Sequence, residues 1–281
     1  MATYKEKVGT AVVNVAGNYP GAVDGQLWYD SSSKAYKYQF ISSVGAWAST
    51  NSLNTARYAL GGAGIQTSAL VFGGETSPGP QVATTQTWNG TNWTTVNNMN
   101  TARYSLGGSG IQTSALAYGG QTPNVANVEL WNGTNWAEVN DLSTAKFRVG
   151  NAGADNTSAL CFGGRNSPGT RYTDTELWNG TNWTEVNNLN QAKDELGSSG
   201  IATAALGFGG NVPPATANTE EWNGTNWAEV NNLSNITLAN AGTGTTNYSL
   251  NAAGLVGGNA STIAEEWAGA GASVTRTIDT D

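Results

Sequence analysis

Short apolar runs alternate with clusters of Gly, Asn, Ser and Thr along this chain, and the period of the pattern is that of strands joined by tight turns. One stretch shows the arrangement. Residues 104–108 predict a first strand, and Ser114–Tyr118 a second that runs into Gly119 and Gly120. Val128–Trp131 and Trp136–Val139 predict a third and a fourth. Between these last two, Asn132-Gly133-Thr134-Asn135 is a hairpin connection, because Asn and Gly tolerate positive φ. Small residues in the first two strands allow backbones to crowd near an axis. Tryptophans farther out fill the space that widens with radius.

The pattern recurs. A Gly-Gly pair stands at 73–74, 119–120, 163–164, 209–210 and 257–258, and tryptophan pairs stand at 88/93, 131/136, 178/183 and 222/227. The fifth copy keeps Trp267 and lacks the second tryptophan. Successive copies lie 43 to 48 residues apart, the size of one four-stranded propeller blade. The expected fold is all-β, a propeller over residues 51–281 with five clear repeats. Residues 1–50 are a separate β-rich segment, either a divergent blade or an attachment segment. Within it, residues 25–33 and 35–40 predict a hairpin. Residues 46–57 match 92–103, so a fourth strand of a blade precedes the first full repeat. Two closures follow. In one, this strand completes the fifth copy and the ring has five blades. In the other, residues 9–53 form an extra blade, and the number of strand-like runs there favours six.

Composition narrows the function. Among 281 residues only 11% are charged, there are 37 Gly and 11 Trp, and there is no His. Missing His removes the commonest metal ligand and general base, and no Ser-His-Asp arrangement can form. The chain is expected to be no enzyme, with no cofactor and no metal. A net charge of −8 argues against non-specific nucleic-acid binding, which needs a basic surface. No stretch approaches a membrane span, and the first residues contain no signal-peptide core, so synthesis in a cytoplasm is expected. Cys161, inside an apolar run, reads as a buried inert thiol.

Two charge patterns stand out. A simple hairpin register sets Glu129 opposite Glu138, Glu176 opposite Glu185 and Glu220 opposite Glu229. Solvated, mutually avoiding carboxylates on an outer edge are the favoured reading. A basic partner from a neighbouring blade or subunit, or bound Ca²⁺, are the alternatives. The second pattern is cationic. Arg57, Arg103, Lys146 and Lys193 occupy equivalent positions before the first strand, with Thr237 in the fifth copy. They are expected either to cover tryptophans and bond loop carbonyls, or to ring one mouth of the central channel and meet a ligand. Loops after the second strand, at 75–84, 121–126, 165–174, 211–218 and 259–263, share a face and differ most between copies. That face is the expected partner surface, with Arg165 and Arg171 contributing from the third loop.

The unit of an apolar strand ending in Gly-Gly, a variable loop, an aromatic and a later tryptophan resembles a kelch repeat, with Trp131 where a tyrosine is usual. That resemblance covers about residues 51–281 and implies the propeller fold far more than an activity. Copper-binding kelch oxidases use histidines, which are absent here. The hairpin Gly25-Gln26-Leu27-Trp28-Tyr29-Asp30 followed by Tyr36-Lys37-Tyr38, combined with near-identical Trp-Asn-Gly-Thr-Asn-Trp strings, is similar to virion proteins of cyanophages and related phages. It implies a tail-associated structural protein in a multi-copy virion assembly, meeting other virion proteins and a host-surface glycan or protein. An architectural capsid decoration or cement protein and an intracellular kelch adaptor are the alternatives.

Overall fold

Each repeat folds as an antiparallel meander, because its Asn-Gly tips pin the hairpin register and its alternate apolar residues need burial on both faces. The computed structural model describes residues 13–15, 27–32, 34–38 and 49–269. No helix occurs among them, and contacts group the chain into two units, residues 1–50 and 51–281. The second unit is a five-bladed β-propeller. Blade one consists of Gly61–Ile65, Ser68–Phe72, Thr85–Trp88 and Trp93–Val96. Blade two is Gly107–Ile111, Ser114–Tyr118, Val128–Trp131 and Trp136–Val139. Blade three is Gly150–Asp155, Ser158–Phe162, Thr175–Trp178 and Trp183–Val186. Blade four is Gly197–Ile201, Ala204–Phe208, Thr219–Trp222 and Trp227–Val230. Blade five has three described strands in its sheet, Ala241–Gly244, Tyr248–Ala252 and Ala264–Ala268.

The first strand of every blade faces the axis. Gly62, Ser109, Ala152, Ser199 and Thr243, one from each blade, line a polar channel of about 220 Å³. This ring of five corrects the six-blade preference. The described strands of the first unit form their own sheet, in which Val13–Val15 runs parallel to Leu27–Asp30. A propeller blade is an antiparallel meander, so a parallel pair is not a blade. Leu27–Asp30 and Ala35–Tyr38 do form the expected hairpin. The expected place of Trp47 lies outside the described residues.

Two further expectations shift. The first strand of blade two begins at Gly107, not at 104, because Ser105 holds a left-handed φ of 53°. Leu238 bridges Leu255, so Ala253 and Gly254 stand where the other blades have Gly-Gly. Gly257 and Gly258 instead turn a two-residue hairpin, Leu255–Val256 with Asn259–Ala260.

Tryptophans hold the blades internally and to one another. The first of each pair donates its indole N–H to the turn between the first two strands of its own blade. Trp88 reaches Gln66 O at 2.9 Å, Trp131 Gln112 O at 2.9 Å, Trp178 Asn156 O at 2.9 Å, Trp222 Ala202 O at 3.1 Å and Trp267 Thr246 O at 2.9 Å. This satisfies the one polar atom of a buried aromatic. The second tryptophan wedges against the preceding blade: Trp136 on Phe72, Trp183 on Tyr118 and Trp227 on Phe162, with centroids 4.9, 5.1 and 4.7 Å apart.

The near-identity of the hairpin tips has a structural cause. Sheet twist of roughly 20–25° per strand pair carries the outer strand well away from the axis direction. Its end reaches the tip of the next blade, where an Asn side chain latches on. Asn97 Nδ2 donates to Thr134 O at 3.0 Å and Asn135 Oδ1 at 2.8 Å; Asn140 and Asn187 repeat the bonds to Thr181 and Asn182, and to Thr225 and Asn226. The tip Asn must therefore both shape a turn and accept a latch.

Candidate functional site

The variable loops start from a joint built of invariant backbone. In blades one to four both glycines of the pair have positive φ, and each packs against a carbonyl. A Cβ on Gly73 would lie 2.7 Å from Arg103 O of the next blade, and one on Gly74 2.8 Å from Tyr58 O of its own. Gly74 N donates to Arg103 O, and Gly120, Gly164 and Gly210 donate to Lys146, Lys193 and Thr237 O, at 2.7–2.9 Å. The carbonyl of the same glycine then accepts from the far end of the loop. Val82, Val125, Tyr172 and Thr216 donate to Gly74, Gly120, Gly164 and Gly210 at 2.9–3.1 Å. Each loop is thus closed at its neck, and what lies beyond the neck is free to vary.

The cation positions lie behind this joint. Arg103, Lys146 and Lys193 are fully buried, and their ion pairs run to Glu129 (3.2 Å), Glu176 (3.0 Å) and Glu220 (3.0 Å) of the same blade. The Lys146 and Lys193 contacts are close in distance but miss hydrogen-bond angles. Arg57 is half-buried and donates to Gly73 O at 2.8 Å, to Thr84 O, and to Gln86 Oε1 at 3.1 Å. Of the two expected arrangements, the ring at the channel mouth is the one that does not form: these side chains point back into their blades, and Arg57 and Arg103 bond backbone carbonyls, Gly73 O at 2.8 Å and Ala117 O at 3.1 Å. Burial pushes the Arg103 guanidinium down from its ordinary value, against the opposing effect of Glu129, Glu138 and Asp141. For Lys146, burial also works downward. The neighbouring Cys161, Glu176 and Asp174 outweigh it, and its pKa ends above the ordinary value.

The glutamate registers are as expected, Glu129 with Glu138, Glu176 with Glu185 and Glu220 with Glu229. The two members of each pair differ in role. Glu138, Glu185 and Glu229 are exposed, as an outer edge requires, whereas Glu129, Glu176 and Glu220 are buried beside their cations. The buried carboxylates also accept backbone N–H groups of the turn before the cation, Asn100 at 2.6 Å, Ser143 at 2.7 Å and Asn190 at 2.7 Å. With those oxygens engaged, the pairs do not converge as a calcium ligand set. No cluster of three or more His, Cys, Asp or Glu side chains occurs among the described residues.

The residues at the mouth are the next two along the chain. The first of the two is exposed in Tyr58 and half-buried in Tyr104, but buried in Phe147 and Asp194. Ala59, Ser105, Arg148, Glu195 and Ala239 all hold φ of 51–57°. They form a ladder across the blades: Ser105 N to Ala59 O at 2.7 Å, Arg148 N to Ser105 O at 2.9 Å, Glu195 N to Arg148 O at 3.1 Å and Ala239 N to Glu195 O at 2.8 Å. Around it lies a cavity of about 440 Å³ lined by Tyr58, Tyr104, Arg148, Glu195 and Asn240 among others. Arg148 pairs with Glu195 across blades three and four.

Arg165 and Arg171, expected on this face, are there. Both converge on buried Asp194, at 3.3 and 2.5 Å. The Arg165 and Arg148 guanidinium groups also lie 5.2 and 5.8 Å from the Phe147 ring centre, within cation–π range. Tyr58 is half exposed and donates to Glu75 Oε2 at 2.7 Å; that bond holds its hydroxyl pKa above the ordinary value. Sequence reasoning missed Tyr58, Tyr104, Phe147, Arg148, Asp194 and Glu195. Their signal was variability at the two positions after an otherwise regular Ala-Arg or Ala-Lys pair.

No protein family matches the chain by sequence, and no characterised protein is found to resemble it in sequence.

Proposed function

We propose that this chain is a non-enzymatic structural protein of a phage virion, tail-associated, whose variable-loop face contacts a host-surface glycan or protein. The observation that carries the reading is the division of labour between invariant and variable residues. Invariant glycines, asparagines, tryptophans and buried ion pairs serve the blade joints. Variable residues gather at the loop face and the mouth it surrounds.

Backbone strain at that mouth points the same way. Arg148 and Glu195 occupy the left-handed region, where Ala or Ser suffices in the other blades. Such conformations cost on the order of 1–3 kcal/mol and concentrate at ligand-binding positions. The kelch-like repeat and the phage-like N-terminal hairpin supply the virion setting, with assembly in many copies beside other virion proteins. A second reading is an architectural decoration protein. It draws on Ile65, Ile111 and Ile201, which are 66%, 46% and 44% exposed at the opposite end of the channel-lining strands.

Two measurements test the proposal. The chain should be found in purified virions, and the recombinant protein should block adsorption of those virions to host cells. Replacing Tyr58, Tyr104 and Arg148 together with Ala should abolish the block while leaving the melting temperature within a few degrees. Full blocking by that variant overturns the assignment of the face. Absence from virions overturns the setting.

A further inference from the structure

The ladder at the mouth is uneven in a way its backbone does not require. Its five rungs share one left-handed conformation, yet Ala59, Ser105 and Ala239 carry small side chains while two neighbouring rungs carry Arg148 and Glu195. The small rungs leave room, and the cavity of about 440 Å³ around them falls in the range of small-ligand sites. Leu60, Leu106, Val149 and Leu196 give it an apolar lining, with Asn240 at the same position of blade five. Tyr58 and Tyr104 add two aromatic rings from blades one and two.

Charge at this mouth cancels, although the chain carries −8. Arg165 and Arg171 are held by Asp194, Glu75 accepts from Tyr58, and Arg148 pairs with Glu195. The cations Arg148, Arg165 and Arg171 are thus matched by Glu75, Asp194 and Glu195. Of these six, Arg148 and Glu195 line the cavity itself. Their bond joins Arg148 Nη1 to Glu195 Oε1, and neither side chain makes another hydrogen bond among the described residues. Arg148 Nη2 and Nε remain as donors beside Glu195 Oε2 as an acceptor.

That pair selects among ligands. An anion would have to draw Arg148 away from Glu195 and then meet the freed carboxylate at close range. A wholly apolar group would strip water from both charges and return no hydrogen bond. Two adjacent hydroxyls fit, because each both donates and accepts. One accepts from the Arg148 guanidinium, and its neighbour donates to Glu195 Oε2. The carbon–hydrogen face of a sugar ring then has the tyrosines and the apolar lining to pack on.

We propose that the mouth binds a neutral pyranose through two adjacent hydroxyls held by the Arg148–Glu195 pair. This rests on the reading of the face as a ligand-contacting surface and names the class of ligand. Arg148 and Glu195 recognise the diol, and Tyr58 and Tyr104 the ring that carries it.

Surfaces bearing immobilised dextran, mannan, galactan or polygalacturonate test this with the full chain. Polygalacturonate presents the diol of galactan with a carboxylate added. Binding to at least one neutral polymer is expected, and none to polygalacturonate. Periodate cleaves the bond between adjacent hydroxyl-bearing carbons, so periodate followed by borohydride should abolish the binding. Glu195→Gln keeps the shape of the side chain and should weaken binding about tenfold, the loss of one charge-assisted hydrogen bond. Its melting temperature should stay within a few degrees. Binding to none of the neutral polymers, binding that survives periodate, or stronger binding to polygalacturonate overturns the proposal, as does unchanged affinity in Glu195→Gln. The periodate comparison uses the native chain alone and so does not depend on how the variant folds. Failure here is distinct from failure of the face: a chain that blocks adsorption but binds no neutral polymer keeps the face and loses the sugar.

Discussion

Gly150 stands directly opposite Phe162 in blade three, and a Cβ on Gly150 would lie 2.3 Å from the phenyl ring. The same pairing joins Gly61 to Phe72, Gly107 to Tyr118 and Gly197 to Phe208. Each ring occupies the space that a Cβ on the facing glycine of the channel-lining strand would need. Blade five makes the reciprocal choice: Ala241 stands opposite Ala252. A side chain on the inner strand is thus allowed once the ring is gone. Gly150→Ala is expected to destabilise by about 1–3 kcal/mol through overpacking. Adding Phe162→Ala should recover part of that loss, although Phe162→Ala alone leaves a cavity worth about 3–5 kcal/mol. Chemical denaturation of the three variants measures it. A double variant whose loss equals the sum of the two single losses contradicts the pairing.

Trp183 is the wedge with no acceptor. Val128 stands where Thr85 and Thr175 serve Trp136 and Trp227, and Trp183 Nε1 has no hydrogen-bond partner among the described residues. Val128→Thr supplies the hydroxyl at the position where blades one and three already carry it. An increase in stability of about 1 kcal/mol is expected, the ordinary net value of one hydrogen bond. A loss on denaturation would show that the hydroxyl does not reach the indole.

The Lys146–Glu176 pair has opposite consequences for single and double replacement. Removing one partner leaves a buried charge and costs about 3–5 kcal/mol, whereas replacing both with uncharged residues of similar volume is far milder. Lys146→Met should therefore be much less stable than Lys146→Met with Glu176→Gln. Blade one already tolerates Gln86 at the carboxylate position. The pH dependence follows from the raised pKa of Lys146. A folded value above the unfolded one gives stability that is fully present below about 10.5, the ordinary lysine range, and lost as pH rises through the folded value. Melting between pH 8 and 12 should fall more steeply for the native chain than for the double variant.

Cys161 is fully buried, and burial pushes its thiol up to about 12. The reactive species is the thiolate. The native protein is therefore expected to consume no thiol reagent at pH 8, and one equivalent after unfolding. Rapid labelling of the folded chain would show that blade three opens locally.

Much of this architecture is legible in the sequence, and the exceptions have physical causes. Asn132-Gly133 and its counterparts fix the hairpin tips, so the glutamate registers follow by counting residues. The second, third and fourth strands of blade two lie where the pattern sets them, because their apolar residues alternate cleanly. Ser105 defeats the pattern. Its left-handed φ delays the first strand by three residues and turns Arg103 inward while exposing its successors. The cations were thus recognisable as a repeated set but not as a buried one. In blade five, backbone conformation at Ala253 and Gly254 replaces a Gly-Gly pair, and the visible Gly257-Gly258 misleads because it serves a different turn.

The bond from Val82 to Gly74, repeated as Val125 to Gly120 and Tyr172 to Gly164, ties off each loop before it leaves the blade. Propeller and loops are therefore separable in the way that a lens mount is separable from its lenses. A loop transplanted between blades, or lengthened beyond its neck, leaves the fastening unchanged. Such a chain can exchange one loop surface for another by short insertions and recombination among its own copies, with no new core to invent each time.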